Sequence, residues 1–202
     1  MGVLKEIFSK NYKPIWKQFA TEIGASYVVG HYGDSDSVIA NPDSWKITFD
    51  IHTSYATSGS RTYEADYTRI RAPFKSPDNL KFVIYRTQLF SAIGKLFGAQ
   101  DIVIGYPEFD KAFIIKGNDE YKIQVLFSNS KLRELITAQK EIHLEIIDTE
   151  GTFEEKIPEG VCELYFLIDG IIKDVEQLKS LYNLYVELLN QLASIGSAQK
   201  SN

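Results

Sequence analysis

Apolar residues recur along this chain with two periods, and the change from one to the other marks out its elements. Val3, Leu4, Ile7 and Phe8 have helical spacing. Pro14 opens a second helix with Ile15, Trp16, Phe19 and Ile23 on its apolar face, and Gly24 ends it. A short strand, SYVVG, and a polar loop, GHYGDSDS, follow. From Trp45 to His52 the period becomes two: Trp45, Ile47, Phe49 and Ile51 face one way, Lys46, Thr48, Asp50 and His52 the other. A second long strand is predicted from Thr62 to Ala72. Its Tyr63, Ala65 and Tyr67 share a face with Arg69 and Arg71, so the strand either leaves the core or carries a bulge, and Pro73 and Pro77 end it. Leu80 to Thr87 is a third strand with Phe82 and Ile84 inward, and Gln88 to Phe97 has helical spacing closed by Gly98.

The stretch from Asp101 to Asn118, DIVIGYPEFDKAFIIKGN, reads as the centre of the chain's organisation. It holds a turn at Gly105–Pro107, the strand-like AFIIK, and Asn118 as N-cap of a helix with Ile123, Leu126 and Phe127. Ser128 or Asn129 restarts that helix with Leu132, Leu135 and Ile136. Ile142, Leu144 and Ile146 alternate with Glu141, His143 and Glu145 as a strand, and Cys162, Leu164, Phe166 and Ile168 are the inward side of another. Asp174 and Gln177 have capping-box spacing at the head of the longest helix, which runs to about Ile195 before a frayed tail, SAQKSN. These elements predict one α+β domain over 1–202, ordered from about 3 to 196 with a tail at 197–202. Its sheet is mainly antiparallel, with N-terminal helices, inserted helices and a long C-terminal helix; a pleckstrin-homology-like or helix-grip fold is the alternative.

Composition adds bounds. A chain of 202 residues, 44% hydrophobic and 24% charged, can bury a core without disulfides or metal. Its one cysteine, Cys162, excludes an intrachain disulfide and favours a reducing compartment. Lys5, Glu6 and Lys10 interrupt the N-terminus, so no signal peptide is expected, and no apolar run is long enough to span a membrane. The expectation is a cytoplasmic protein without membrane association. A net charge of −5 argues against nucleic-acid binding. The charge is uneven: Arg61 to Arg86 holds six basic and three acidic residues, and Lys140 to Gly170 nine acidic and two basic.

That basic half supplies the candidate site. Arg69, Arg71, Lys75 and Arg86, interleaved with Tyr67 and Tyr85, suit an anionic or aromatic ligand, because guanidinium groups match carboxylate and phosphate oxygens. The same residues can instead pair internally with the acidic segment. Other constellations are weaker. His31, His52 and His143 have no metal-ligand spacing, although His52 and His143 share polar strand faces and could meet across the sheet. Cys162 has core parity, which makes its thiol inert. Glu108 and Asp110, two apart on a strand, would share a side and serve as an acid–base pair, cap the turn or meet the Arg69/Arg71 face. Neither a catalytic residue, a metal site nor a cofactor is assigned.

The segments YTRIRAPF (67–74), IYRTQLFSAIGKLFGAQDI (84–102), FDKAFIIKGND (109–119), HLEI (143–146) and ELYFLIDGIIKD (163–174) together resemble a family of uncharacterised bacterial proteins, a domain of unknown function. The resemblance spans about Trp16 to Gly196. The FDKAF…GND block is similar, more distantly, to a broader bacterial family that is often membrane-anchored; no hydrophobic anchor is expected here. The resemblance implies a cytoplasmic bacterial domain and transfers no functional residue. The reading is thus a non-catalytic binding or interaction module with a basic–aromatic surface for an anionic ligand or acidic protein partner. The alternatives are an enzyme, perhaps hydrolytic, whose site converges only in three dimensions, and a structural homodimer. The heptad-like stripe Leu178, Leu181, Tyr185, Leu188, Leu192 and Ile195 is expected to pack within a monomer, with a helix-mediated dimer as second choice.

Overall fold

The computed structural model describes residues 12–31, 35–59, 61–87, 101–148, 158 and 160–200. The helices expected at Val3–Phe8 and Gln88–Phe97, and most of the acidic turn after Asp148, lie outside the described residues. The elements run α1 (Lys13–Glu22), β1 (Ser26–Val28), β2 (Ser37–Ala40), a 3-10 turn (Pro42–Ser44), β3 (Ile47–Ser58), β4 (Arg61–Lys75), β5 (Phe82–Arg86), α2 (Pro107–Ala112), β6 (Phe113–Gly117), α3 (Glu120–Phe127), α4 (Ser130–Thr137), β7 (His143–Ile147), β8 (Val161–Asp169) and α5 (Val175–Ser194). All eight strands join one antiparallel sheet in the order β1-β2-β3-β4-β8-β7-β5-β6. The fold is α+β with a long C-terminal helix, as the periodicity predicts.

Alternation explains how the sheet is dry on one side. Val38, Phe49, Ile70, Phe166, Leu144, Ile84 and Ile115 are successive register partners, so one apolar row crosses the sheet from β2 to β6. All seven are buried, and α5 covers the middle of this face with Leu178, Leu181, Leu184, Leu188, Leu189 and Leu192. Tyr185, in the same stripe, donates its hydroxyl to the Ile70 carbonyl at 2.8 Å, which satisfies a polar group inside the core. Burial pushes its pKa well up. On either side of α5, Trp16 of α1 donates to the Ile172 carbonyl and Trp45 donates to Asn190 of α5, each at 2.9 Å.

Five local expectations change. First, β2 goes beyond the sequence reading, in which the loop GHYGDSDS ends at Ser37 and Val38 to Ala40 have no element. Second, β4 continues through Pro73 to Lys75. The Lys75 N–H, two residues on, bonds Gln199 on the side away from β8, so proline's missing donor falls where β3 has ended and no ladder bond is lost. Third, the eleven β3–β4 pairs run in unbroken register from Thr48↔Arg71 to Ser58↔Arg61, so no bulge turns Arg69 and Arg71 outward. They share the outer face with Tyr63 and Tyr67 while Ile70, Ala72 and Phe74 take the core. Fourth, the Asp101–Asn118 stretch ends in β6, a sheet edge, and β4 and β8 hold the centre. Within it, Asp119 rather than Asn118 caps α3, accepting from the Lys122 N–H at 3.0 Å. Asn118 instead ties down the turn before β5, accepting from the Lys81 N–H and donating to the Asn79 carbonyl. Fifth, the tail is docked: Ser197 and Ala198 are buried, and Gln199 exchanges two 2.9 Å backbone bonds with Lys75.

Candidate functional site

The outer face of the sheet carries the charge. Asp50 of β3 lies directly opposite Arg69 of β4, and the two meet in a bidentate pair, Nε–Oδ1 2.7 Å and Nη2–Oδ2 3.0 Å. Arg71, one step along the same face, places its Nη2 2.8 Å from the same Oδ2. Asp50 and Arg69 are buried, and the Arg71 side chain remains 29% exposed. Burial by itself lowers the Arg69 pKa, but the hydrogen bonds and charge of Asp50 outweigh it and hold the guanidinium above its ordinary value. Burial, then the Arg69 charge, pulls neighbouring His52 below the usual histidine value. Glu163 of β8, diagonal to Arg71, is pushed up by its burial against the opposing pull of Arg71 and Arg69.

These groups line a half-open cleft of about 650 Å³. Thr48, Asp50, His52, Arg69 and Arg71 belong to its outer-face wall, and Ile51, Thr53, Tyr55, Glu64 and Asp66 have the opposite parity. The cleft therefore curls round the edge of β3 beyond β2, where Ser35 and Ser37 add hydroxyls and Tyr12 and Lys13 come from the head of α1. Lys13 is anchored at 2.8 Å on Asp36, a buried carboxylate that also accepts from Tyr27 and from the Gly30 N–H. Burial first, then the charge of Asp36, raises the Tyr12 pKa to about 12, so its phenol stays a donor.

Of the residues singled out from sequence, the fold brings Arg69, Arg71 and Tyr67 together; the Tyr67 ring lies 6.2 Å from that of His52. Lys75 sits at the far end of β4, opposite Val161. Tyr85 is on the outer face but buried on β5, with β8 and β7 between it and β4. Arg86 donates to the Thr137 and Gln139 carbonyls at the end of α4 and lies 4.8 Å over the Phe113 ring, which makes it a clamp between sheet and helix. Internal pairing of the basic patch is through Asp50 of the next strand, with Glu163 of the acidic segment adding a longer-range attraction. Asp50, Thr48 and the residues of α1 and the β1–β2 loop were missed. Asp50 had a visible signal, a lone acid on the wet face of β3; the others had none.

The remaining constellations resolve structurally. Glu108 and Asp110 lie on α2 rather than on a strand, and Asp110 accepts from the Ile104 and Gly105 N–H groups at 2.8 and 2.9 Å, as a turn cap. His52 and His143 are on β3 and β7, with β4 and β8 between them, and do not meet. His143 lies 3.6 Å from Glu145 on its own strand, and burial drives both toward neutrality, lowering the first pKa and raising the second. Cys162 is buried in the core, and burial raises its thiol pKa.

Among the described residues, no helix is long and apolar enough to cross a membrane, and no group of three His, Cys, Asp or Glu could hold a metal ion. No protein-family model, curated protein or solved structure matches the chain.

Proposed function

We propose that this protein is a non-catalytic, cytoplasmic binding module that receives an anionic group, a carboxylate or phosphate, in the cleft beside Arg71. The ligand is a small molecule or an acidic segment of a partner. The observation that carries this reading is the sharing of one buried carboxylate by two guanidinium groups at the wall of a cleft. Of the two arginines Arg71 is the more exposed, its side chain 29% against 10% for Arg69. A partly desolvated guanidinium held in place by a carboxylate is a pre-oriented anion receptor, because its planar donors need no further ordering on binding. The hydroxyls of Ser37 and Thr48 line the same cleft and suit the other oxygens of such a ligand.

The test is titration calorimetry with inorganic phosphate, nucleoside phosphates and di- and tricarboxylates. At least one class is expected to bind, with affinity that falls as salt rises. Arg71→Gln should weaken it roughly tenfold or more while the thermal midpoint holds, since a hydrogen bond to a charged group is worth about 1.5–3 kcal/mol. Unchanged binding in Arg71→Gln, or no binding by any member of the panel, would overturn the assignment.

A further inference from the structure

The β3–β4 hairpin outruns the sheet. β2 pairs with β3 only as far as Val38↔Phe49, and β8 reaches β4 only as far as Thr68↔Ile168. Beyond them, and past the Gly170 N–H that bonds the Asp66 carbonyl, the pairs Ser54↔Ala65 to Ser58↔Arg61 stand out as a two-stranded ribbon, with Tyr55 and Tyr63 70% and 56% exposed. A two-stranded ribbon is marginal alone in water, so one that persists in a fold is a surface awaiting a third strand.

The free edge of β3 shows what that strand must be. Ile51 points its N–H and C=O at this edge, where the Ser35 hydroxyl takes both, at 3.3 and 2.7 Å. Thr53, Tyr55 and Thr57 have the same parity, so their N–H and C=O groups point to the same edge, where no strand pairs with them among the described residues. The segment from Thr53 to Ser58, TSYATS, holds no charge, proline or glycine and carries no bulge, none of the devices that blunt an edge. The edge of β4 is guarded, by Arg61, Glu64 and Asp66.

TSYAT is also symmetric about its centre: Thr, small, Tyr, small, Thr. We infer that this edge pairs with the same edge of a second copy of the chain, antiparallel about a two-fold axis at Tyr55. Tyr55 then faces the partner copy's equivalent tyrosine, and Thr53 faces the equivalent of Thr57. Each copy offers three donors and three acceptors to the other, so all meet. The narrow positions between them bring Ser54 against the equivalent of Ala56, side chains small enough for the close non-hydrogen-bonded spacing of about 4.5 Å between Cα atoms. With every edge-facing residue neutral, no like charges oppose one another, and the isologous pairing closes at two copies instead of growing. The surface differs from α5, whose leucines are buried within the chain.

Sedimentation equilibrium over a broad concentration range tests this, together with amide exchange. The wild-type chain is expected to form dimers, with slowed exchange at Thr53, Tyr55 and Thr57. Tyr55→Pro removes an N–H that faces the open edge and leaves the β3–β4 ladder intact; it should weaken the dimer roughly thirtyfold through two lost backbone bonds. Tyr55→Lys, which sets two ammonium groups on the axis, should also yield monomers and serves if the proline variant misfolds. Tyr63→Lys, on the other strand of the ribbon, and Arg71→Gln, in the cleft, should both remain dimeric, which keeps this inference separate from the ligand reading. A wild-type chain that stays monomeric throughout would overturn the pairing. So would a dimer that survives both Tyr55 changes, or one that Tyr63→Lys also dissolves.

Discussion

Asp50 holds both arginines of the cleft, and it is nearly sealed from water itself. Removing its bidentate partner strands a buried carboxylate, so Arg69→Ala should cost about 3–5 kcal/mol in urea denaturation, and Asp50→Ala a similar amount. Arg71→Gln, with its side chain 29% exposed, should cost less than about 1 kcal/mol. Equal losses at the two arginines would show that Arg71 is as structural as Arg69. Glu145 offers a test by pH. Burial raises its folded pKa above the ordinary 4.5, so its protonated form favours the fold. That stabilisation is complete below about pH 4.5 and is lost as pH rises through the folded pKa. His143 beside it, depressed by burial from 6.5, works the other way, costing stability as pH falls below that value. Glu145→Gln should therefore be more stable than wild type near pH 7, with the difference vanishing toward pH 4. An urea midpoint gap that does not change with pH would refute this. Cys162, inward by parity and buried in fact, should resist a thiol reagent in the native state and react at once in denaturant.

Elements were legible where a single face decided them. The stripe of α5 and the Asp174 cap, which accepts from the Glu176 and Gln177 N–H groups, are both present as periodicity and spacing predict. Leu188 is fully buried against the sheet, so Leu188→Ala should lower stability by about 2–5 kcal/mol. Gly117 is the last residue of β6. The structure shows a close approach: a Cβ there would lie 2.5 Å from the Lys81 carbonyl oxygen and 2.2 Å from Ile123 Cδ1. Gly117→Ala should cost about 1–3 kcal/mol through that overpacking, and a neutral result would mean that β6 can slide outward at its edge position. β2 escaped notice because four residues are too few to show a period.

The molecule as a whole is closed by contacts distant in sequence. β8 slots between β4 and β7, and the C-terminal tail returns to the end of β4. Ending the chain at Gly196 would remove the two Lys75–Gln199 backbone bonds and the 2.6 Å bond from the Ser197 hydroxyl to Asp78. The expected loss is roughly 1–3 kcal/mol, read as a lower thermal midpoint with the sheet retained. An unchanged midpoint would make the tail incidental to stability.

Sequence alone determined which face of β3, β8 and α5 is dry, because burying apolar surface imposes its period within each element. It also placed Arg69 and Arg71 on one side of a strand, and the unbroken β3–β4 register decided that this side is the wet one. Tertiary structure decided what stands beside them. The pairing of Arg69 with Asp50 depends on the β3–β4 register, and the separation of Tyr85 and Arg86 from that pair depends on β8 and β7 intervening between β4 and β5. The order of strands across a sheet is set by how distant segments close on one another, and local periodicity carries no record of that closure.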